Sequence, residues 1–308
     1  MTFPKKNSAS VVLLTLAIAS GVSAVQMTLR TRVSLVTIPV HVTTELGLPI
    51  TNLMKEDFQL FEDNVQQKIV SFTKQDAPLS IGFLLDSSGS MRRRMRTASE
   101  AATAFCKTAN PEDEFFLIHF GDKPKLDVPF TNDTGELFRY IARARASGRT
   151  SLLDAIHLSL AEMKRAKNAR KAIVILSDGG DNCSRHTEGQ IRNAMSETDV
   201  QLYAMGIFDP EPDPKKQPLE EQNGPDLLSA LAEMTGGRHY PVSNIGELPS
   251  LSERIGIELR NEYVLGYIST NTTLDGKYRT VKLTVGGGPT ELPPVRTQYR
   301  RGYRAPME

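Results

Sequence analysis

The sequence predicts a mostly parallel α/β sheet covered by helices on both faces, set into a small β-sandwich-like domain built from the two chain ends. Three observations predict it. Between Leu79 and Leu259, strand-like apolar runs alternate with segments of helical periodicity. Two of those runs, Ile81–Leu85 and Ala172–Leu176, are apolar without interruption apart from Gly82, as strands buried on both faces must be. The flanking segments instead alternate apolar and polar residues, the period of strands with one buried face.

Residues 1–24 carry Lys5 and Lys6, an apolar run from Val11 to Ala19 and small residues in Val22-Ser23-Ala24, the layout of a secretory signal peptide. The run is too short to span a bilayer, so a chain cleaved there is exported, periplasmic or secreted, with no membrane span. Residues 25–77 then form the first part of the β domain. Val36, Ile38, Val40 and Val42 alternate, with Pro39 suggesting an edge strand. Leu46–Pro49 is a turn, and Phe58–Phe61 and Ile69–Phe72 are short strands around a turn at Glu62-Asp63-Asn64.

The α/β domain covers residues 78–261. After the first buried strand, Met91, Met95, Ala98, Ala102 and Phe105 follow at helical spacing. Phe115–Phe120 is a strand, and 137–144 and 152–163 are helices. Residues 171–176, 191–195 and 200–207 continue the alternation of strand, helix and strand. Leu227–Met234 is a helix stopped by Gly236-Gly237, and 247–259 is the last helix. The prolines between Asp209 and Asp226 mark a surface loop. Residues 262–308 return to β periodicity at Val281, Leu283 and Val285 and at Val295, Thr297 and Tyr299, completing the β domain.

Composition excludes several classes of function. Lys and Arg number 37 against 36 Asp and Glu, and loss of residues 1–24 leaves 35 against 36, so no global basic field exists to hold nucleic acid. Two cysteines exclude a disulfide framework, and Cys106 and Cys183 fall at opposite ends of the expected domain, too far apart to bridge.

The chemistry concentrates at strand ends. Asp86-Ser87-Ser88-Gly89-Ser90 follows the first buried strand, where open parallel sheets bind ligands. Asp86, Ser88 and Ser90 alternate, so their oxygens can converge in an extended turn. Thr150 precedes a helix, and Asp178 ends the second buried strand. These five side chains offer hard oxygens, two of them anionic, which suits Mg²⁺, with Mn²⁺ or Ca²⁺ as competitors. A helix starting near Met91 would point its positive end at the same place. Arg92, Arg93 and Arg149 beside the site, with Asp181 and His186 in the loop after Asp178, are candidate partner-binding residues.

Asp86-x-Ser88-x-Ser90, then Thr150, then Asp178-Gly179 resemble the metal-ion-dependent adhesion site of von Willebrand factor A domains. The flanks Asp57-Phe58, Glu62-Asp63, Tyr263–Tyr267, Asp275-Gly276 and Arg301-Gly302-Tyr303 resemble the secreted bacterial VWFA-related family of acidobacterial type. The resemblance implies a Rossmann-like A domain in which Ser88 and Ser90 ligate a divalent cation directly. Asp86, Thr150 and Asp178 ligate directly or through water, and a Glu or Asp of a protein partner completes the shell. Arg149 departs from the pattern, since a glycine is common there. The expected function is a secreted metal-dependent protein-binding or adhesion module. The alternatives are a cell-envelope scaffold working through its β domain, or a metal-dependent hydrolase. Against an enzyme, Ser88 stands where a proton-transferring acid would be needed, and no histidine has a forced position near Ser88 or Ser90.

Overall fold

The computed structural model describes residues 35–74, 77–207, 223–286, 288 and 292–307. The expected signal peptide and most of the proline-rich loop lie outside these residues. Strands β1 (Leu35–Thr44), β2 (Phe58–Glu62), β3 (Val65–Gln67) and β4 (Ile69–Lys74) precede the α/β block. The block holds β5 (Leu79–Asp86), α1 (Met95–Cys106), β6 (Glu114–Phe120), β7 (Pro124–Thr131), α2 (Thr134–Ile141) and α3 (Leu152–Met163). It continues with β8 (Arg170–Ser177), α4 (Glu188–Ser196), β9 (Gln201–Ile207), α5 (Gly224–Thr235), β10 (His239–Val242) and α6 (Leu248–Arg260). Strands β11 (Tyr263–Ile268), β12 (Tyr278–Val285), β13 (Val295–Tyr299) and β14 (Gly302–Arg304) follow.

The block forms a six-stranded sheet in the order β10-β9-β8-β5-β6-β7. Every pairing is parallel except β6 with β7. All of β5 and all of β9 are buried, because α1, α2 and α6 cover one face and α3, α4 and α5 the other. Ala98, Phe105, Leu137 and Ile255 pack into the first layer, and Ile156, Ile191 and Leu228 into the second. Gly236 closes α5 in the left-handed conformation, at φ 81°.

Two four-stranded antiparallel sheets make up the rest, in the orders β13-β1-β11-β4 and β14-β12-β2-β3. Ile38, Val40, Leu265 and Tyr267 from the first sheet share one core with Phe58, Leu60, Val281 and Leu283 from the second. The chain leaves this sandwich from β4 and returns in β11, and Lys74 and Tyr263 are paired neighbours there.

The structure corrects the expectations for β1 and for the start of α1, and adds strands that the sequence did not show. β1 is an internal strand; Pro39 is tolerated because β13 pairs only from Val40 onward, leaving the Pro39 stretch with β11 as its one strand partner. The segment Gly89–Arg93 is a 3-10 turn, and the α-helix begins at Met95; Met91 is buried in the core all the same. Strands β7 and β10 carry no readable period: β7 buries only Val128, and β10 is four residues long with Pro241 on an edge. Cys106 and Cys183 are free thiols, both half-buried.

Glu62 ties the two sheets of the sandwich together. It is 2% exposed and accepts hydrogen bonds from the hydroxyls of Tyr267 at 2.8 Å, Tyr303 at 2.8 Å and Ser269 at 2.5 Å. Removing a buried acceptor leaves its donors desolvated and unsatisfied. Glu62→Ala is therefore expected to destabilise the protein by about 3 kcal/mol, and Glu62→Gln by less, as midpoint shifts in urea unfolding. A neutral result for Glu62→Ala contradicts this role.

Candidate metal centre

β5 and β8 are parallel neighbours, with Leu85 beside Leu176, so the residues at their carboxyl ends emerge side by side. Asp86 is fully buried there. Its Oδ1 accepts from the backbone N–H of Ser88 at 2.8 Å, and its Oδ2 from the Ser177 hydroxyl at 2.6 Å. The Ser88 and Ser90 hydroxyls lie 3.0 Å apart, and Ser90 donates to Asp178 Oδ2 at 2.5 Å. Ser90 thus bonds across to the second strand end rather than capping a helix. It is exposed, while Asp86, Ser88 and Asp178 are buried, so the cluster opens to solvent at Ser90.

Thr150 joins through the backbone. Its N–H donates to Asn182 Oδ1 at 2.9 Å, and its carbonyl accepts from the N–H groups of Asn182 and Cys183. The loop before it is fastened to the β5 turn by Ser147 N–H to Ser87 O at 2.7 Å and Gly89 N–H to Gly148 O at 3.1 Å. Asp86, Ser88, Ser90 and Asp178 are thus joined at one place by hydrogen bonds, and the loop leading to Thr150 is fastened to the same turn. Gly179 is required beside them: its φ is +81°, and a Cβ would lie 2.8 Å from the Gly224 backbone at the start of α5.

Burial, then the charge of Asp178, pushes the Asp86 carboxyl up to about 7, against the opposing hydrogen bonds from Ser177 and Ser88. Among the described residues no Lys, Arg or His forms an ion pair with Asp86 or Asp178. Two neighbouring carboxylates without a counter-charge, surrounded by hydroxyls, fit a hard divalent cation. The donor set has no imidazole or thiolate, which disfavours zinc. The helix-dipole contribution expected from the sequence is absent at this point, since α1 starts beyond Arg94.

The candidate partner residues separate into two groups. Arg92 and Arg93 are exposed on the 3-10 turn. Arg149 is exposed and reaches Asp122, 3.6 Å away. Asp181 accepts from Leu153 N–H at 3.2 Å and from the Ser184 hydroxyl at 2.5 Å, fastening the loop to the start of α3; burial pushes its carboxyl up despite these bonds. His186 bonds Asp154 through Nδ1 at 2.6 Å and stacks on His157, with centroids 3.9 Å apart. Asp181 and His186 thus serve the loop that carries Asp178. Sequence reasoning missed Ser177, which holds Asp86, and Asn182, which holds Thr150; the available signal was a polar residue ending an apolar strand, directly before Asp178.

Residues 81–180 match the von Willebrand factor type A domain family. The chain carries a von Willebrand factor A domain. A UPF0353 protein of Mycolicibacterium paratuberculosis is 25% identical over 206 residues, covering 60% of this chain and 62% of its own length. This chain therefore spans less than two thirds of that relative. Among solved structures, a von Willebrand factor type A protein from Catenulispora acidiphila aligns with TM-score 0.51 and 13% identity, over 80% of this chain and 76% of that one. Proximal thread matrix protein 1 of the mussel byssus aligns with TM-score 0.50 and 13% identity, over 64% of this chain and 49% of its own. Likeness at this identity concerns the fold.

The Asp86 shift has a defined sign. A carboxyl raised in the folded state contributes stability below its unfolded value of 3.8, and that contribution is lost as pH rises through about 7. In chelator, Asp86→Asn is expected to melt roughly 5 °C above wild type at pH 8, the gain vanishing toward pH 4. Thermal melts across that range check it, and a variant melting below wild type at pH 8 contradicts a repulsive pair.

Proposed function

We propose that this chain is an exported module that binds a protein ligand through a divalent cation, most simply Mg²⁺. Asp86, Ser88, Ser90, Thr150 and Asp178 would hold the ion directly or through water. The cation supplies a Lewis-acidic position that an Asp or Glu of the ligand fills. The chain's own residues set the rest: Ser177 orients Asp86, Asn182 and Gly148 hold the Thr150 loop, and exposed Ser90 marks the open side.

The observation that carries this reading is the buried pair Asp86 and Asp178, which has no ion-pair partner among the described residues yet is ringed by hydroxyls. The domain family supports a binding module over an enzyme, because von Willebrand factor A domains commonly serve protein interaction and adhesion. The site hydroxyls that touch a possible base, Ser90 on Asp178 and Ser177 on Asp86, meet carboxylates rather than a histidine. No described helix is long and apolar enough to cross a membrane.

Mg²⁺ at about one hundred times its dissociation constant is expected to add roughly 2.7 kcal/mol of stability, raising the melting temperature by several degrees. Ser88→Ala and Asp178→Ala should each abolish that rise. Partner capture from the native source should then succeed in Mg²⁺ and fail in EDTA. A partner kept in EDTA would place binding on the β-sandwich instead. A wild-type melt unaffected by Mg²⁺, Mn²⁺ and Ca²⁺ alike contradicts the metal reading.

A further inference from the structure

The top of the domain is electrically lopsided. Three segments meet beside the cluster: Ser87–Arg96, Gly121–Lys125 and Ala142–Ser151. Ser87 N–H donates to Phe120 O at 2.7 Å, Ser147 N–H to Ser87 O at 2.7 Å, and Arg149 N–H to Asp122 Oδ1 at 2.9 Å. Together they hold nine Lys and Arg and one carboxylate, Asp122. Some of these cations are committed within the fold: Arg94 to the Ile207 carbonyl, Arg96 to Glu100, Lys125 to Asp127, and Arg149 to Asp122. Arg92, Arg93, Lys123, Arg143 and Arg145 are exposed and have no ion pair among the described residues.

The other flank carries the opposite sign. β8 and β9 lie on the far side of β5 from β6. Beyond them, Asp181, Glu188 and Asp226 line a cleft of about 510 Å³ between the starts of α3, α4 and α5. Its one cation among the described residues, Arg192, is spent on Glu188 at 2.7 Å. The cation site therefore sits at the border between a basic rim and an acidic cleft.

We infer that the ligand is a short acidic polypeptide segment, in which one carboxylate meets the cation and its acidic neighbours lie over the collar of Arg92, Arg93, Lys123, Arg143 and Arg145. This rests on the metal reading above and adds the composition and direction of the partner. Crowded cations without partners repel one another, and a ligand bringing carboxylates relieves that repulsion while its approach is steered. A long phosphate polymer fits worse: crossing the face, it would run from the collar onto Asp181, Glu188 and Asp226. The segment's flank over the acidic cleft is accordingly neutral or basic.

Fluorescence anisotropy with labelled hexaglutamate, a glycine-rich hexapeptide holding one Glu, and hexathymidylate tests this on the full chain, in Mg²⁺ and in EDTA. Hexaglutamate in Mg²⁺ should bind about tenfold more tightly than the single-Glu peptide, and the advantage should shrink as salt rises above about 0.15 M. Arg143→Glu with Arg145→Glu should erase it, and Arg143→Gln with Arg145→Gln should reduce it partway. Equal binding of the two peptides, a preference that survives charge reversal, or hexathymidylate binding more tightly than hexaglutamate in EDTA each overturns the inference. The Mg²⁺-induced rise in melting temperature separates the two readings. A rise without an acidic preference sinks the collar alone. A collar-dependent preference without any rise upholds the collar and sinks the metal site.

Discussion

Two parallel strands, β5 and β8, are the hinge of this structure, because their pairing forces Asp86 and Asp178 to emerge together at one sheet edge. The apolar runs that make the strands cannot be shifted without exposing a fully buried layer, so the meeting of the carboxylates is a consequence of the core. Placing two carboxylates there without a counter-charge is costly, and burial and mutual repulsion show in the raised Asp86 carboxyl. The surrounding loops are arranged around that cost. Ser177, Ser88 and Ser90 spend their hydrogen-bonding capacity on the pair, and the Thr150 loop is fastened over it by backbone bonds.

The sandwich supplies a rigid frame for this edge. The α/β block leaves from β4 and returns into β11, whose paired residues Lys74 and Tyr263 bring the two crossing points together. A polar seam joins the parts: His41 meets the Tyr203 hydroxyl at 2.8 Å, Gln201 donates to Glu262 at 2.5 Å, and Arg300 reaches Asp199 at 2.9 Å. Asp199 and Gln201 lie at the start of β9, the sheet end away from Asp86, so the frame holds that end and the other is left for the site.

Much of this was legible in the sequence, for identifiable reasons. Uninterrupted apolar runs announce doubly buried strands, and polar residues directly after them announce a strand-end site, so Asp86, Ser88, Ser90 and Asp178 stood out. Helix α3 was bounded to the residue because its apolar period begins and ends sharply at Leu152 and Met163. The failures have physical causes too. β7 is an edge strand with one buried residue, so it leaves no pattern. Pro39 signals a missing donor but not which stretch of a neighbour ends beside it. The clasp between Asp154 and His186 joins residues 32 apart, a pairing only the folded loop creates. The flanking motif at Glu62 and Tyr303 was visible as sequence, yet its meaning as a buried acceptor joining two sheets needed the structure.

The central claim is that a divalent cation resolves the Asp86–Asp178 pair. Calorimetric titration with Mg²⁺ in buffers of different ionisation enthalpy tests it most directly, because it counts protons released on binding. A cation taking the place of the Asp86 proton releases a substantial fraction of one proton near pH 6.5 and almost none at about pH 8.5. Mg²⁺ binding with the same proton count at both pH values, or no binding at either, would contradict the account.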